Sequence, residues 1–301
     1  MTVPHMHARH YLGLLVVTVA WGFNFAVVKI GLGYWPPLLF VGIRFVAVAI
    51  ALSPFLRPLP RGKLLQVAAL SVTLGVLHFG MIFAGMEKVD AATAAIAVQI
   101  QVPFAALLAA VVFKETLHWR RILGIVIAFL GVMLIAGQPR FAGELGSLAL
   151  IVAAACVWAT ANIQIKLLGD DIEVFNLNGW VALLAAPQTL IVSWLTESGQ
   201  MEAIRNAGWE AWGVIAYQAA FVTVMGYGVW YRMMRRFPIN QVMPFTLLVP
   251  VFGVISGVVL LGDPLTGLML LGGALTLFGV AIVVLRRPRV IAPGTKGGVS
   301  V

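Results

Sequence analysis

Ten apolar stretches of about twenty residues follow one another, at roughly 11–31, 37–56, 65–86, 91–113, 120–137, 145–168, 175–196, 209–232, 239–261 and 266–285, with gaps too short for a soluble domain. Each is long enough to cross a hydrocarbon slab of about 30 Å as a helix. A bilayer offers no water to stray backbone amides, so such segments must form helices packed side by side. Hydrophobic residues make up 61% of the chain and charged ones 10%, far from the roughly one-quarter charged content of soluble domains. A soluble globular fold is thereby excluded. The first stretch is too long for a signal-peptide core and carries Trp21, Asn24 and Lys29, so it reads as a retained helix.

A net charge of +9 invites a nucleic-acid reading, but the placement of the cations opposes it. With gaps numbered alternately, fifteen Lys and Arg residues fall on the side of the termini, four on the other, and Arg44 within a span. That asymmetry puts both termini in the cytoplasm and the basic residues against anionic lipid headgroups. The partners expected are therefore membrane lipids and a small solute, with no nucleic acid. Cys156, the one cysteine, sits in an apolar stretch and can form no disulfide within the chain.

The stretches also repeat. Trp21 and Lys29 recur with the same spacing as Trp158 and Lys166, and an asparagine follows each tryptophan about one turn on, at Asn24 and Asn162. Further along, Pro103, Glu115, Gly124 and Gly131 are matched in order by Pro250, Asp263, Gly272 and Gly279. Two matches in one order mark a duplication, which divides the chain into residues 1–140, 141–290 and a tail at 291–301. Five spans per half is an odd number, so the second half enters the membrane from the opposite side. The fold class expected is an all-α integral membrane protein of ten helices in two inverted five-helix repeats.

These residues carry a resemblance. Ala20-Trp21-Gly22, Arg44-Phe45, the run VDAATAAI at 89–96 leading to Pro103 and Lys114-Glu115, and the stretch 238–263 with its two Gly-x6-Gly-Val closings resemble the EamA branch of the drug/metabolite transporter superfamily. The resemblance covers nearly the whole chain. It implies ten helices in two inverted repeats, and bacterial members that commonly export amino acids and related metabolites. The chain departs from the pattern at Asp263-Pro264, and nothing in the seventh span answers Arg44.

A transporter must solvate a polar solute near the midplane, where polar groups are costly unless they face a cavity or each other. Gln99 and Thr246 each stand four residues before a matched proline and are expected near the pseudo-twofold axis, where inverted-repeat transporters bind substrate. Pro103 and Pro250 free a carbonyl one turn earlier and kink their helices, which makes them candidate hinges. Trp21 with Asn24, and Trp158 with Asn162, put an aromatic ring beside an amide. Arg44 is suited to a substrate carboxylate, or else snorkels to headgroups. His78 is the one intramembrane group of ordinary pKa near neutrality; Tyr227 and Trp230 are candidate aromatic walls or interfacial anchors. Lys29 and Lys166 read as anchors, and Glu115 and Asp263 as caps of the helices that follow them.

All eleven acidic residues fall at span ends or in loops. No carboxylate stands at the midplane to relay a proton, hold sodium or pair with an organic cation. No Cys/His/Asp/Glu group with ligand spacing lies inside the spans, so neither a metal, a cofactor nor enzyme chemistry is expected. The inventory of Gln, Asn, Thr and aromatic side chains suits a zwitterion or neutral metabolite with an apolar side chain. The function expected is export of amino acids or similar metabolites across a bacterial-type cytoplasmic membrane, by facilitated diffusion or alternating access, with a monomer sufficient and a dimer not required. Alternatives are import or exchange of a sugar, nucleotide-sugar or sugar-phosphate, or a non-transporting sensor or assembly subunit.

Overall fold

The computed structural model describes residues 6–114, 117–138, 141–169, 171–237 and 239–285. Nine helices among them are long and apolar enough to cross a bilayer: Ala8–Gly31, Pro37–Phe55, Leu64–Lys88, Ala91–Val112, Trp119–Ala136, Leu145–Leu168, Val174–Thr196, Trp209–Trp230 and Gly267–Val284. The remaining apolar helix, Phe245–Leu261, is short because irregular backbone interrupts its start, and it completes a set of ten spans. No strand occurs among the described residues. Span boundaries follow the apolar runs to within a few residues. One further helix, Gln200–Asn206, lies in the link between spans seven and eight.

Short links end in caps that cross between helices. Span two begins at Pro36-Pro37, where a proline suits the first helical position, but its next amides still need acceptors. They find them on span seven: the Leu38 and Leu39 N–H groups donate to the two Glu197 oxygens at 2.7 and 3.0 Å, and Ser193 Oγ donates to the same carboxylate at 2.7 Å. At the other end of this pair, Arg57 N–H donates to Asn176 Oδ1 at 2.9 Å and Trp180 Nε1 to the Arg57 carbonyl at 2.8 Å. Span four is capped locally, Asp90 accepting from Thr93 N–H at 2.8 Å.

The packing obeys the pseudo-twofold relation that carries each span onto the one five further along. Spans two and seven pack on each other, as do five and ten; the pair one and nine is answered by six and four, and the pair one and eight by six and three. The seam between five and ten is backbone against backbone. A Cβ on Gly272 would come within 2.6 Å of the Gly131 carbonyl, and one on Gly279 within 2.5 Å of the Gly124 carbonyl. The repeated glycines thus permit the close approach that the duplication led one to expect. A contiguous apolar core runs from Val27, Phe40 and Phe83 through Ala94 and Ile151 to Ala185 and Ile215, joining both repeats.

Departures from α-helix also come in symmetric pairs. Span three is π-helical over Val72–Phe79 and span eight over Gln218–Tyr227. Shifting the first by the 147 positions that separate Pro103 from Pro250 carries it onto 219–226, almost the whole of the second. Spans four and nine instead tighten to 3₁₀ geometry at Val98–Ile100 and Met243–Leu247, each just before its proline. π segments recur at functional sites, and the four irregular segments fall on spans three, four, eight and nine.

Candidate functional site

Two aromatic clusters are built on the π segments. In the first, Trp21 of span one packs on Tyr227 and Trp230 of span eight, with ring centroids 5.6 and 5.3 Å apart. Its indole N–H donates to the Val222 carbonyl at 3.1 Å, inside the π segment whose displaced bonding leaves acceptors to spare. One turn away, Tyr217 Oη donates to the Ala20 carbonyl at 2.9 Å. The second cluster is built on span three, where His78 lies 4.7 Å from both Phe79 and Trp158. His78 Nδ1 stands 2.9 Å from the Ala154 carbonyl, which fixes it as the protonated nitrogen and the histidine as a donor to span six.

Arg44 enters beside this second cluster. It is 4% exposed, and its guanidinium carbon stands 4.1 Å from the Phe79 ring centroid. Nε and Nη1 are buried with no hydrogen-bond partner among the described residues. Snorkelling is thereby ruled out as its resting arrangement: the side chain turns inward and is stabilised by the ring face. Unpaired donors in such a place mark where water or a solute sits.

The remaining residues singled out above fall around this centre unevenly. Gln99 is buried and Thr246 half-buried, and both belong to the 3₁₀ segments beside buried Pro103 and Pro250. Asn24 buries its Oδ1 without a partner, whereas Asn162, its counterpart in span six, is exposed. The same inequality appears between spans four and nine. Gly253 packs so closely on Ala95 that a Cβ would lie 2.5 Å from the alanine's own, yet their symmetry mates Ala106 and Val242 belong to separate apolar clusters. Among the described residues, then, the bundle is shut at the Lys29 end and parted at the Asn162 end.

Lys29 is no headgroup anchor. Its Nζ donates to the carbonyls of Met86, Glu87 and Val89 at 2.7, 3.1 and 3.0 Å and so closes the C-terminus of span three. Lys166 places its Nζ 3.8 Å over the Phe113 ring. Asp263 is a cap, but of a different helix from the one expected: its Oδ2 accepts from Ala92 N–H at 2.8 Å, tying span nine to the start of span four rather than to span ten. The corresponding Glu115 lies outside the described residues, as does the tail at 291–301.

Sequence reasoning missed Phe79, which seats Arg44, and Gln218, which is wholly buried with both side-chain polar atoms unpartnered. The signal for Gln218 was present, since it interrupts the apolar run of span eight. No group of three or more His, Cys, Asp or Glu able to hold a metal occurs among the described residues. A wide-mouthed cleft of about 720 Å³ lies at the Lys29 end between Trp35, Leu38, Val76, Met81, Leu150 and Glu197; it holds none of the residues named above for the interior.

Comparison with known proteins agrees with this architecture. Residues 8–137 and 145–285 each match the EamA-like transporter family. The chain is 33% identical over 281 residues to a probable amino-acid metabolite efflux pump of Salmonella typhimurium, covering 90% of this chain and 93% of that protein. It is 31% identical over 276 residues to a protein of the same description from Escherichia coli, covering 89% and 92%. A solved crystal structure superposes with a TM-score of 0.60 at 17% identity, over 93% of this chain and 98% of that one, which bears on the fold alone. The chain belongs to the EamA-like transporter family.

Proposed function

We propose that the chain is a cytoplasmic-membrane exporter of amino acids or related small metabolites, whose two repeats expose a central site to the two sides in turn. The observation that carries this reading is Arg44, a buried guanidinium seated on Phe79 with Nε and Nη1 unpartnered. A carboxylate is the ligand its fork of donors fits. The aromatic clusters around Trp21 and Trp158 suit an apolar side chain on the same solute. The efflux-pump relatives in two enterobacteria support the substrate class. With every acidic residue at a span end or in a loop, proton or sodium coupling through a midplane carboxylate is disfavoured. We read the protein as a transporter without catalysis, a monomer being sufficient.

Orientation follows from charge. The excess of Lys and Arg on the side of the termini puts both termini and Asn162 toward the cytoplasm and Lys29 toward the exterior. On that reading the site is open inward. The division into repeats at 1–140 and 141–290, with Gln99 and Thr246 near their axis and Pro103 and Pro250 as hinges, is part of the same proposal.

The test is counterflow in proteoliposomes without an ion gradient, using labelled aromatic, aliphatic, basic and acidic amino acids. Saturable exchange of apolar or aromatic ones, lost in Arg44→Gln, supports the reading. Exchange of none of them overturns it.

A further inference from the structure

The side chain of Gln218 has no structural task. It is wholly buried, and among the described residues neither its Oε1 nor its Nε2 has a hydrogen-bond partner. An unmet carboxamide in an apolar interior is costly, and an apolar residue of similar size would avoid the cost. Its backbone carbonyl is already taken by Thr223 Oγ1 at 3.0 Å, so helix geometry does not call for the side chain either.

Neighbouring contacts fix its depth. Down the face that span eight turns to span one, Ala211 accepts from Trp35 Nε1, Val214 packs beside Gly31, and Val222 accepts from Trp21 Nε1. Gln218 falls between the last two, level with residues 24–28 of span one. Span two shares the register, because Phe40 meets Val214 at Gly31 and Arg44 stands one turn deeper, as Gln218 does on span eight. Three unsatisfied groups therefore lie at similar depth on spans two, eight and one: Arg44 with two N–H donors, Gln218 with a donor and an acceptor, and Asn24 with the acceptor Oδ1.

That inventory is complementary to a zwitterion. The donors suit a carboxylate; the ammonium needs acceptors, and with no carboxylate inside the spans these must be neutral oxygens, of which the side chains of Gln218 and Asn24 leave two unmet. Resting on the amino-acid reading given above, we propose that Gln218 is a specificity-determining residue whose Oε1, with Asn24 Oδ1, accepts from the α-ammonium of a substrate whose carboxylate Arg44 holds. It separates amino acids from carboxylates of the same shape that lack the amine.

The test compares half-saturation of counterflow for L-phenylalanine and L-leucine with that for hydrocinnamate and isocaproate, the same skeletons without the amino group. A hydrogen bond to a charged group corresponds to about tenfold or more. The wild-type protein should prefer each amino acid by about that factor, and Gln218→Leu should bring the ratio to about one. A ratio unchanged in Gln218→Leu overturns the inference and leaves the exporter reading intact. Should Gln218→Leu fail to fold, Gln218→Glu keeps the shape and adds charge, and should widen the preference about tenfold; an unchanged ratio there is equally fatal. If the wild-type protein exchanges neither amino acid, the exporter reading itself fails and this inference falls with it.

Discussion

Adding one methyl group to the shut end of the bundle, as Gly253→Ala, should force it open. The new Cβ would lie 2.5 Å from the Ala95 Cβ and 3.4 Å from Phe25 Cδ2. Carbons rest at about 3.5–4.0 Å, so spans four and nine must part by about an ångström. Overpacking of this kind costs about 1–3 kcal/mol, and only the state closed at the Lys29 end bears it. At about 1.4 kcal/mol per tenfold, the population open at that end should rise about five- to 150-fold. The assay is labelling by a membrane-impermeant maleimide in a Cys156→Ala background, with Asn24→Cys probing one end and Asn162→Cys the other. Asn24→Cys should react at least about fivefold faster from the Lys29 side in Gly253→Ala, while Asn162→Cys slows once the open population passes half. Gly267→Ala, whose added carbon meets nothing within 4 Å, serves as the control. Equal Asn24→Cys rates in wild type and Gly253→Ala would refute the reasoning that this contact seals the site.

Glu197→Gln weakens the two amide bonds that hold the start of span two, and should lower the melting temperature by an amount equivalent to about 1–2 kcal/mol, read by scanning fluorimetry in detergent. Lys29→Met removes the donor to three carbonyls at the end of span three; we expect faster Asn24→Cys labelling, and unchanged labelling would reduce Lys29 to a bystander. His78 is committed as a donor to Ala154, so His78→Asn should leave the pH profile of counterflow unaltered between about pH 5.5 and 7.5; a flattened profile would revive proton coupling through it.

The number of spans and the inversion of the halves were legible because both are written in one dimension, as apolar length and repeated order. The glycine seam was legible for the same reason, since Gly124, Gly131, Gly272 and Gly279 repeat at fixed spacing. The direction of Arg44 was not, because it depends on Phe79 from another span offering a ring face. Asp263 shows the same limit: its acid and position pointed to a cap, but the amide it serves lies 171 residues away. Trp21, Tyr227 and Trp230 come together, while Asn24 and Asn162 differ in exposure. They stand three and four residues after their tryptophans, about 100° apart around the helix, a difference that a match by residue type passes over.

In the π segments of spans three and eight, residue number matters as much as residue type. A π turn holds one residue more than an α turn, so removing one from Val72–Phe79 or from Gln218–Tyr227 would let it relax to α geometry with the flanking turns close to their original phase. Point substitutions leave the residue count untouched and report on the side chains alone. Single-residue deletions within the π segments would leave the flanking turns facing their partners, whereas the same deletion in an α-helical part of either span would rotate everything beyond it by about 100°.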